Sequence, residues 1–336
     1  MKSTKSRYTL LSLFLIFSCE KENSVEPSFC IEGCIEIDGE LYYQGDIDVL
    51  QNIIDVNDSL SGEPLEIGGQ LWIDGRLDSL SLNSSQLTTL PESIGNLSSL
   101  IFLSLGSNEL TTLPESIGDL YSLEKLNLGF NELTTLPDNF GNLTNLTNLG
   151  LQHNQFTTLP ESIGDLSSLE LLVLRGTKLT TLPESIGNLS SLERVYLNGN
   201  QLTTLPESIG NLSSLEWLYL HDNQLTSIPE SFGNLSNLVF LNLFDNQLTT
   251  LPESIGNLSS LETLYVYFNQ LTTLPESIGN LSSLETLYVF YNQLTTLPES
   301  ICNLSGECYI RVDNNQLCSS IPTCIVYYVG EQDCND

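Results

Sequence analysis

The sequence predicts an α/β solenoid, in which one short unit is stacked many times along an axis. Ten copies of a 23-residue unit fill residues 77–306, and self-similarity at such a period marks a stacked architecture. Apolar residues recur in each copy at positions 1, 4, 6, 11, 14, 18 and 21, counted from its first Leu. Position 9 places an Asn among those apolar neighbours in most copies.

Most copies read LxxLxLxxNxLTTLPESIGNLSS, and they start at Leu77, Leu100, Leu123, Leu146, Leu169, Leu192, Leu215, Leu238, Leu261 and Leu284. An eleventh, degenerate copy starts at Glu307 and keeps Ile310, Val312, Asn315 and Leu317. The alternation at positions 4 and 6, Leu149 and Leu151 in the fourth copy, predicts a strand with one buried face. The irregular spacing that follows fits a chain turning a corner and returning along the back. One unit cannot bury its apolar residues alone, whereas stacked neighbours can. Phe156, Val195, Ile228, Phe232, Val266 and Val289 replace Leu or Ile at these positions without introducing a charge.

Asn108, Asn131, Asn154, Asn200, Asn223, Asn246, Asn269 and Asn292 occupy position 9. A buried amide needs partners for its oxygen and both N–H groups, and backbone groups of adjacent turns would supply them as a ladder. Ser85 and Thr177 stand in this place in two copies and keep a hydroxyl. Pro at position 15, followed by Glu-Ser, predicts a short helical turn. Gly at position 19 is expected to end it.

On these residues the chain resembles the leucine-rich repeat family, across the ten copies and the degenerate eleventh. The LPxxIGxL signature resembles its bacterial and plant-like subclasses. The resemblance implies a horseshoe with a parallel β-sheet on its concave face, short helical or extended segments on the convex face, and a cap at each end. Eleven strands spaced about 4.8 Å apart would give a sheet on the order of 50 Å long.

The formal charge is −32, from 42 acidic and 10 basic residues, which repels phosphate backbones and argues against nucleic-acid binding. The recurring Glu of the PES triplet is expected to face outward on the back, either as a solvated surface or as a site for cations or a basic partner. At the amino terminus Lys2, Lys5 and Arg7 precede an apolar stretch, Tyr8 to Phe17, too short to span a bilayer. Ending in Ile16-Phe17-Ser18-Cys19, residues 1–18 resemble a bacterial lipoprotein signal, with Cys19 lipidated and residues 19–29 as a polar tether. Glu20-Lys21-Glu22 after that Cys is similar to surface-export signals of Bacteroidota-type lipoproteins. The implied location is the bacterial outer membrane or cell surface, with membrane contact through the lipid anchor only. An ordinary cleaved signal would make the protein secreted.

Residues 30–76 read as an amino-terminal cap. Asp46 to Asn57 shows an amphipathic helical stripe of Ile47, Val49, Leu50, Ile53 and Ile54, and Leu71-Trp72 and Gly75-Arg76-Leu77 lead into the first strand. Residues 307–336 read as the degenerate copy and a carboxy-terminal cap. Cys30 and Cys34 lie at one end, and Cys302, Cys308, Cys318, Cys324 and Cys334 at the other. Solenoid ends need capping, and secreted proteins staple small caps with disulfides. Zinc is the rival reading, but no His lies near and no spacing is the tight CxxC. The odd cysteine is left free or pairs between chains.

No GxSxG elbow, phosphate-cradling loop or HExxH occurs, so the chain calls for no cofactor and reads as non-enzymatic. His153 and His221 are expected on the concave face, solvated or in contact with a ligand. Asn-Leu-Ser and Asn-Leu-Thr triplets match glycosylation sequons and read equally as repeat grammar.

Side chains alternate along a strand, so positions 3, 5 and 7 face away from the core, with position 8 at the strand exit. Early copies place small or polar groups there: Ser81, Ser104, Asn127, Gly150, Gly106, Gly129 and Gln152. Later copies place Tyr196, Trp217, Tyr219, Phe240, Phe244, Tyr265, Tyr267, Phe268, Tyr288, Phe290 and Tyr291, with Asn198, His221, Asp222, Asn242 and Asp245 among them. Exposed aromatic clusters mark interaction sites, though aromatics also favour strands and stack along a ladder. The reading is a surface-anchored binding protein whose partner is a protein or peptide. A glycan ligand, with sugars stacked on the rings, is the alternative.

Overall fold

The computed structural model describes residues 33–304, 306–318, 321–325 and 330–334. The expected signal segment 1–18, the lipidation site Cys19, the tether 19–29 and Cys30 lie outside the described residues. The chain from Gly33 onward forms one compact unit.

The amino-terminal cap begins with an antiparallel hairpin, β1 (Cys34–Ile37) and β2 (Glu40–Tyr43). Asp38 and Gly39 turn it with φ of 55° and 88°, the left-handed pair that tight hairpins require. Helix α1 (Gln44–Val56) follows and buries Ile47, Val49, Leu50 and Ile53. Asp46 in its first turn is fully buried. Its carboxylate accepts Nε and Nη2 of Arg76 at 2.9 and 3.1 Å and the backbone N–H of Leu77 at 2.9 Å. A buried charge is tolerable only with such complete pairing. Leu71-Trp72 proves to be more than a lead-in: β3 (Gly69–Ile73) pairs antiparallel with β4 (Arg76–Ser81) across Asp74-Gly75 and occupies the edge that the solenoid's first strand would otherwise expose.

From β4 onward every copy adds one parallel strand at positions 3–5, from Phe102–Ser104 to Tyr309–Arg311. Each residue faces its equivalent in the next copy, as Leu218 faces Val195 and Leu241. The apolar positions form one continuous buried core along the stack. Phe140, Phe156 and Phe232 fit into it with no exposed surface.

The expected amide ladder is present. Asn108 Nδ2 donates to the carbonyls of Leu82 and Leu105 at 2.9 and 2.8 Å, and its Oδ1 accepts the N–H of Leu87 at 3.0 Å. Asn131 and Asn223 repeat the pattern. Thr177 is shorter and reaches only the carbonyl of Leu174 in its own copy, at 3.1 Å, and the Asn200 side chain. The ladder is finished by a borrowed amide. Gln332 donates to the Val312 carbonyl at 3.0 Å and accepts the Leu317 N–H at 3.2 Å, as the Asn of a further copy would.

The back of each copy is a 3₁₀ turn, Glu92–Asn96 in the first and Glu299–Asn303 in the tenth. Two expectations about it change. Pro sits just before the turn, where its carbonyl accepts the first bond, as from Ile94 N–H to Pro91 at 3.0 Å. Gly at position 19 lies within the turn and has no positive φ. Its role is clearance: a Cβ on Gly210 would lie 2.2 Å from the carbonyl oxygen of Ser231 in the next copy. The PES carboxylates do more than face water. Glu161 and Glu253 accept the backbone N–H groups of Ser185 and Ser277, one copy on, at 3.1 Å each.

At the far end, disulfides join Cys302 to Cys324 and Cys318 to Cys334. Among the described residues, Cys34 and Cys308 stand outside disulfides. Cys308 is buried against the end of the core, and burial pushes its thiol up to about 11. It is therefore protonated at neutral pH and sheltered, which disfavours pairing between chains.

Candidate binding face

The zero offset between copies turns every outward position into a column. At position 7, His221 stacks on Phe244 at 4.7 Å, Phe244 on Tyr267 at 4.7 Å and Tyr267 on Phe290 at 4.5 Å, with planes within 11°. The Arg311 guanidinium covers Phe290 at 4.1 Å and is held by Asp313 at 2.9 and 3.1 Å. Parallel strands about 4.8 Å apart match the spacing of stacked rings, so the strand register itself builds the stack.

At position 5, Tyr196 stacks on Tyr219 at 4.6 Å and Tyr265 on Tyr288 at 4.8 Å. Asn242 interrupts this column. Phe240 stands on the strand of that interruption: its centroid lies 4.9 Å from Tyr219, tilted, and 5.6 Å from Tyr265, edge-on. Phe240 also stacks on Trp217 at 5.3 Å. At position 8, Phe268 stacks on Tyr291 at 4.5 Å.

The structure thus brings Tyr196, Trp217, Tyr219, His221, Phe240, Phe244, Tyr265, Tyr267, Phe268, Tyr288, Phe290 and Tyr291 into one aromatic field, with Asp222 and Asp245 exposed at its rim. Three expectations of open contact groups change. Phe290 is only 9% exposed, because Tyr267, Tyr291 and Arg311 wall it in. Asn242 is buried, its Oδ1 accepting the Phe244 N–H at 3.2 Å, and Ser104 is buried between Asn83 and Asn127. Most of the other rings are half-buried, since each shields its neighbour.

Burial pushes the hydroxyls of Tyr219, Tyr265 and Tyr267 up, with neighbouring tyrosines adding to it, so they remain protonated donors. The Asp222 carboxyl is raised by partial burial first, then by the hydrogen bond and charge of Asp245. Burial lowers His221 from its ordinary 6.5. Its Nδ1 is buried without a partner, and its Nε2 is 3.8 Å from Asp222. Lys125, Arg175 and Arg194 lie on the same face in earlier copies and make no ion pair among the described residues.

Sequence reasoning missed three contributors. Arg311 and Tyr309 extend the field into the degenerate copy, Tyr309 edge-on to Tyr288 at 6.0 Å; numbering that copy by its own register places them at positions 5 and 3. Phe130 stacks on His153 at 4.4 Å at position 8, separate from the main field and 48% exposed.

The leucine-rich repeat region model matches residues 75–153 and 195–273, and two further leucine-rich repeat models match 144–202 and 259–303. Among solved structures the chain is similar to a leucine-rich repeat protein of Leptospira interrogans, with 36% identity and a TM-score of 0.64 over 77% of this chain and 72% of that one. It is also similar to the ectodomain of the plant membrane receptor kinase GASSHO1/SCHENGEN3 from Arabidopsis thaliana, in complex with CASPARIAN STRIP INTEGRITY FACTOR 2, at 33% identity and TM-score 0.63 over 72% of this chain. The plant peptide hormone receptor RGFR1 in complex with RGF2 is similar at 27% identity and TM-score 0.59 over 70% of this chain. The chain spans 30% and 43% of those two plant chains. No curated protein sequence matches it.

The state of His221 sets a pH dependence. The folded protein resists a proton that the unfolded chain accepts near 6.5. Stability is therefore full above that value and lost as pH falls through it. His221→Phe keeps the stack and removes the titration. Its stability advantage over the wild type should grow between about pH 7 and pH 5.5. Parallel pH profiles from urea melts would show that the imidazole is not held neutral by its stack.

Proposed function

The chain belongs to the leucine-rich repeat family, and from that membership we propose a non-enzymatic, surface-anchored protein that binds a protein or peptide on the aromatic half of its concave face. Leucine-rich repeat proteins are generally binding scaffolds, and the matching family models are repeat models rather than those of a catalytic family. The observation that carries the reading is the aromatic field of copies six to eleven, on a sheet face with no covering element among the described residues. Tyr and Trp supply rigid amphipathic contact and dominate interface hot spots.

The stacking geometry favours a polypeptide over a sugar. A sugar ring packs on an open aromatic face, whereas most of these rings spend their faces on one another and offer edges and hydroxyl groups, Phe268 at position 8 keeping one side unstacked. Backbone amides and side chains of a peptide suit such edges. The similarity to plant receptors solved with their partners points the same way.

The test is a selection of random displayed peptides on the purified ectodomain, residues 20–336, alongside a glycan array. Selected peptides should bind Trp217→Ala/Tyr219→Ala well over tenfold more weakly, a hot-spot aromatic costing about 2 kcal/mol or more. Lys125→Ala, exposed on the same sheet, should bind normally. Because both aromatics are half-buried, a thermal melt must accompany the measurement. Peptides that bind the folded aromatic variant like wild type, or enrichment on glycans alone, would overturn the reading.

The anchor is proposed from Ile16-Phe17-Ser18-Cys19 and the basic residues before it. An alkyne-labelled fatty acid fed to expressing bacteria should enter the wild type and not Cys19→Ser. Equal labelling of both would leave the protein without this anchor.

A further inference from the structure

Position 8 takes a left-handed backbone in copy after copy. Ser107, Phe130, His153, Asp222, Asp245, Phe268 and Tyr291 have φ between 52° and 59°, and Gly176 and Gly199 occupy the same place at 64° and 69°. Gly, Asp and Asn accept this conformation readily, whereas a bulky side chain in it is an outlier. Phe268 and Tyr291 adopt it without the return of burial: they are 47% and 45% exposed. Each rests on the other at 4.5 Å, and the side of Phe268 towards Asp245 carries no stacked ring among the described residues.

The same column supplies two carboxylates just before those rings. Asp222 and Asp245 are close enough to hydrogen-bond, and partial burial, then that bond and the Asp245 charge, raise the Asp222 carboxyl. No Lys or Arg pairs with either among the described residues, and the one charged-type contact is the His221 imidazole at 3.8 Å, kept neutral by burial. Arg175 and Arg194 stand in copies five and six, and Arg311 is committed to Asp313.

One column over, the molecule shows how a cation is held in such surroundings. Arg311 lies 4.1 Å over the end ring of a stack, Phe290, and pairs with the carboxylate of Asp313 at 2.9 Å. Position 8 repeats the ring and the carboxylates without a Lys or Arg paired there among the described residues. We propose that Asp222, Asp245 and the open side of Phe268, backed by Tyr291, receive an arginine side chain of the bound partner. The guanidinium would pair with the carboxylates and lie over the ring, a combination that arginine's planar group suits best. The formal charge of −32 draws basic segments towards the face. The proposal rests on the reading of this face as a ligand-binding surface and names the chemistry of one ligand group.

The probe is N-acetyl-arginine methylamide, titrated into ectodomain carrying ¹³C-labelled Phe and Tyr rings. Saturable shifts should appear at Phe268 and Tyr291, and the citrulline analogue, equal in shape and uncharged, should produce none. Asp222→Asn/Asp245→Asn keeps residues that tolerate the left-handed backbone and should weaken the probe about tenfold, the loss of roughly one charged contact. Phe268→Asn should lose the probe and melt at a higher temperature than wild type, because it relieves strain. Shifts elsewhere, equal binding of citrulline, or undiminished binding by the Asp variant would overturn the proposal. A lower melting temperature of Phe268→Asn would also do so, since the ring would then be structural. Lys125→Ala, outside the aromatic field, should leave this probe's binding intact. Selected peptides that lose binding to Trp217→Ala/Tyr219→Ala while the arginine probe shifts nothing would overturn the arginine site and leave the wider face reading standing, so the two failures are distinguishable.

Discussion

The amide at position 9 bonds to two coils at once, and the order of the rest of the molecule depends on it. Asn223 Nδ2 donates to Leu197 in the preceding copy and to Leu220 in its own, both at 3.0 Å, while its Oδ1 accepts Leu202 N–H at 3.0 Å. A leucine core is non-directional and would tolerate a slip between coils. The amide is directional, and in the dry interior an unmet partner is costly. It therefore fixes each coil against the next at zero offset. Both ends respect the same need: Asn57 accepts Thr88 N–H at 2.9 Å at the start, and Gln332 serves the last copy.

Zero offset turns repetition into columns. On the back it aligns glycine with the neighbouring carbonyl and Glu with the next N–H, so acidic groups that repel one another are partly spent on backbone bonds. On the sheet face it places equivalent side chains at the spacing of stacked rings. Aromatic residues there become a continuous surface rather than isolated side chains. Arg311 and Asp313 close one column, and the disulfides brace the end just beyond it. The aromatic field and the carboxy-terminal cap are therefore physically continuous.

The core, the strand, the amide ladder and the aromatic half of the face were legible because each is a residue type repeated at one position. Features that depend on a neighbour were less so. Gly at position 19 reads as a helix end, since a sequence does not distinguish a glycine needed for its dihedral from one needed for clearance. Phe290 reads as exposed because its cover, Arg311, belongs to a copy whose pattern has decayed. The strain at position 8 is visible only as a set: Gly176, Gly199, Asp222 and Asp245 signal a left-handed backbone, and Phe268 and Tyr291 then stand out against it. Ladder stacking and binding, posed as alternatives, prove compatible in geometry. The rings stack through their faces and present their edges.

The most direct measurement of the ladder's role is equilibrium unfolding of two reciprocal variants. Asn223→Ala leaves the buried Leu202 N–H unmet and takes one of two amide donors from each of the Leu197 and Leu220 carbonyls, which Asn200 and Asn246 still reach. It should cost about 2 kcal/mol or more, at roughly 1–3 kcal/mol for an unsatisfied group and about 1 kcal/mol for a lost bond. Thr177→Asn supplies the amide bonds back to copy four that Thr177 does not make and should gain about 1 kcal/mol. A loss in the first with a gain in the second would establish the buried amide as what holds coil to coil. If Asn223→Ala cost no more than an exposed substitution and Thr177→Asn gave no gain, the leucine core alone would set the register, and the account would be wrong at its base.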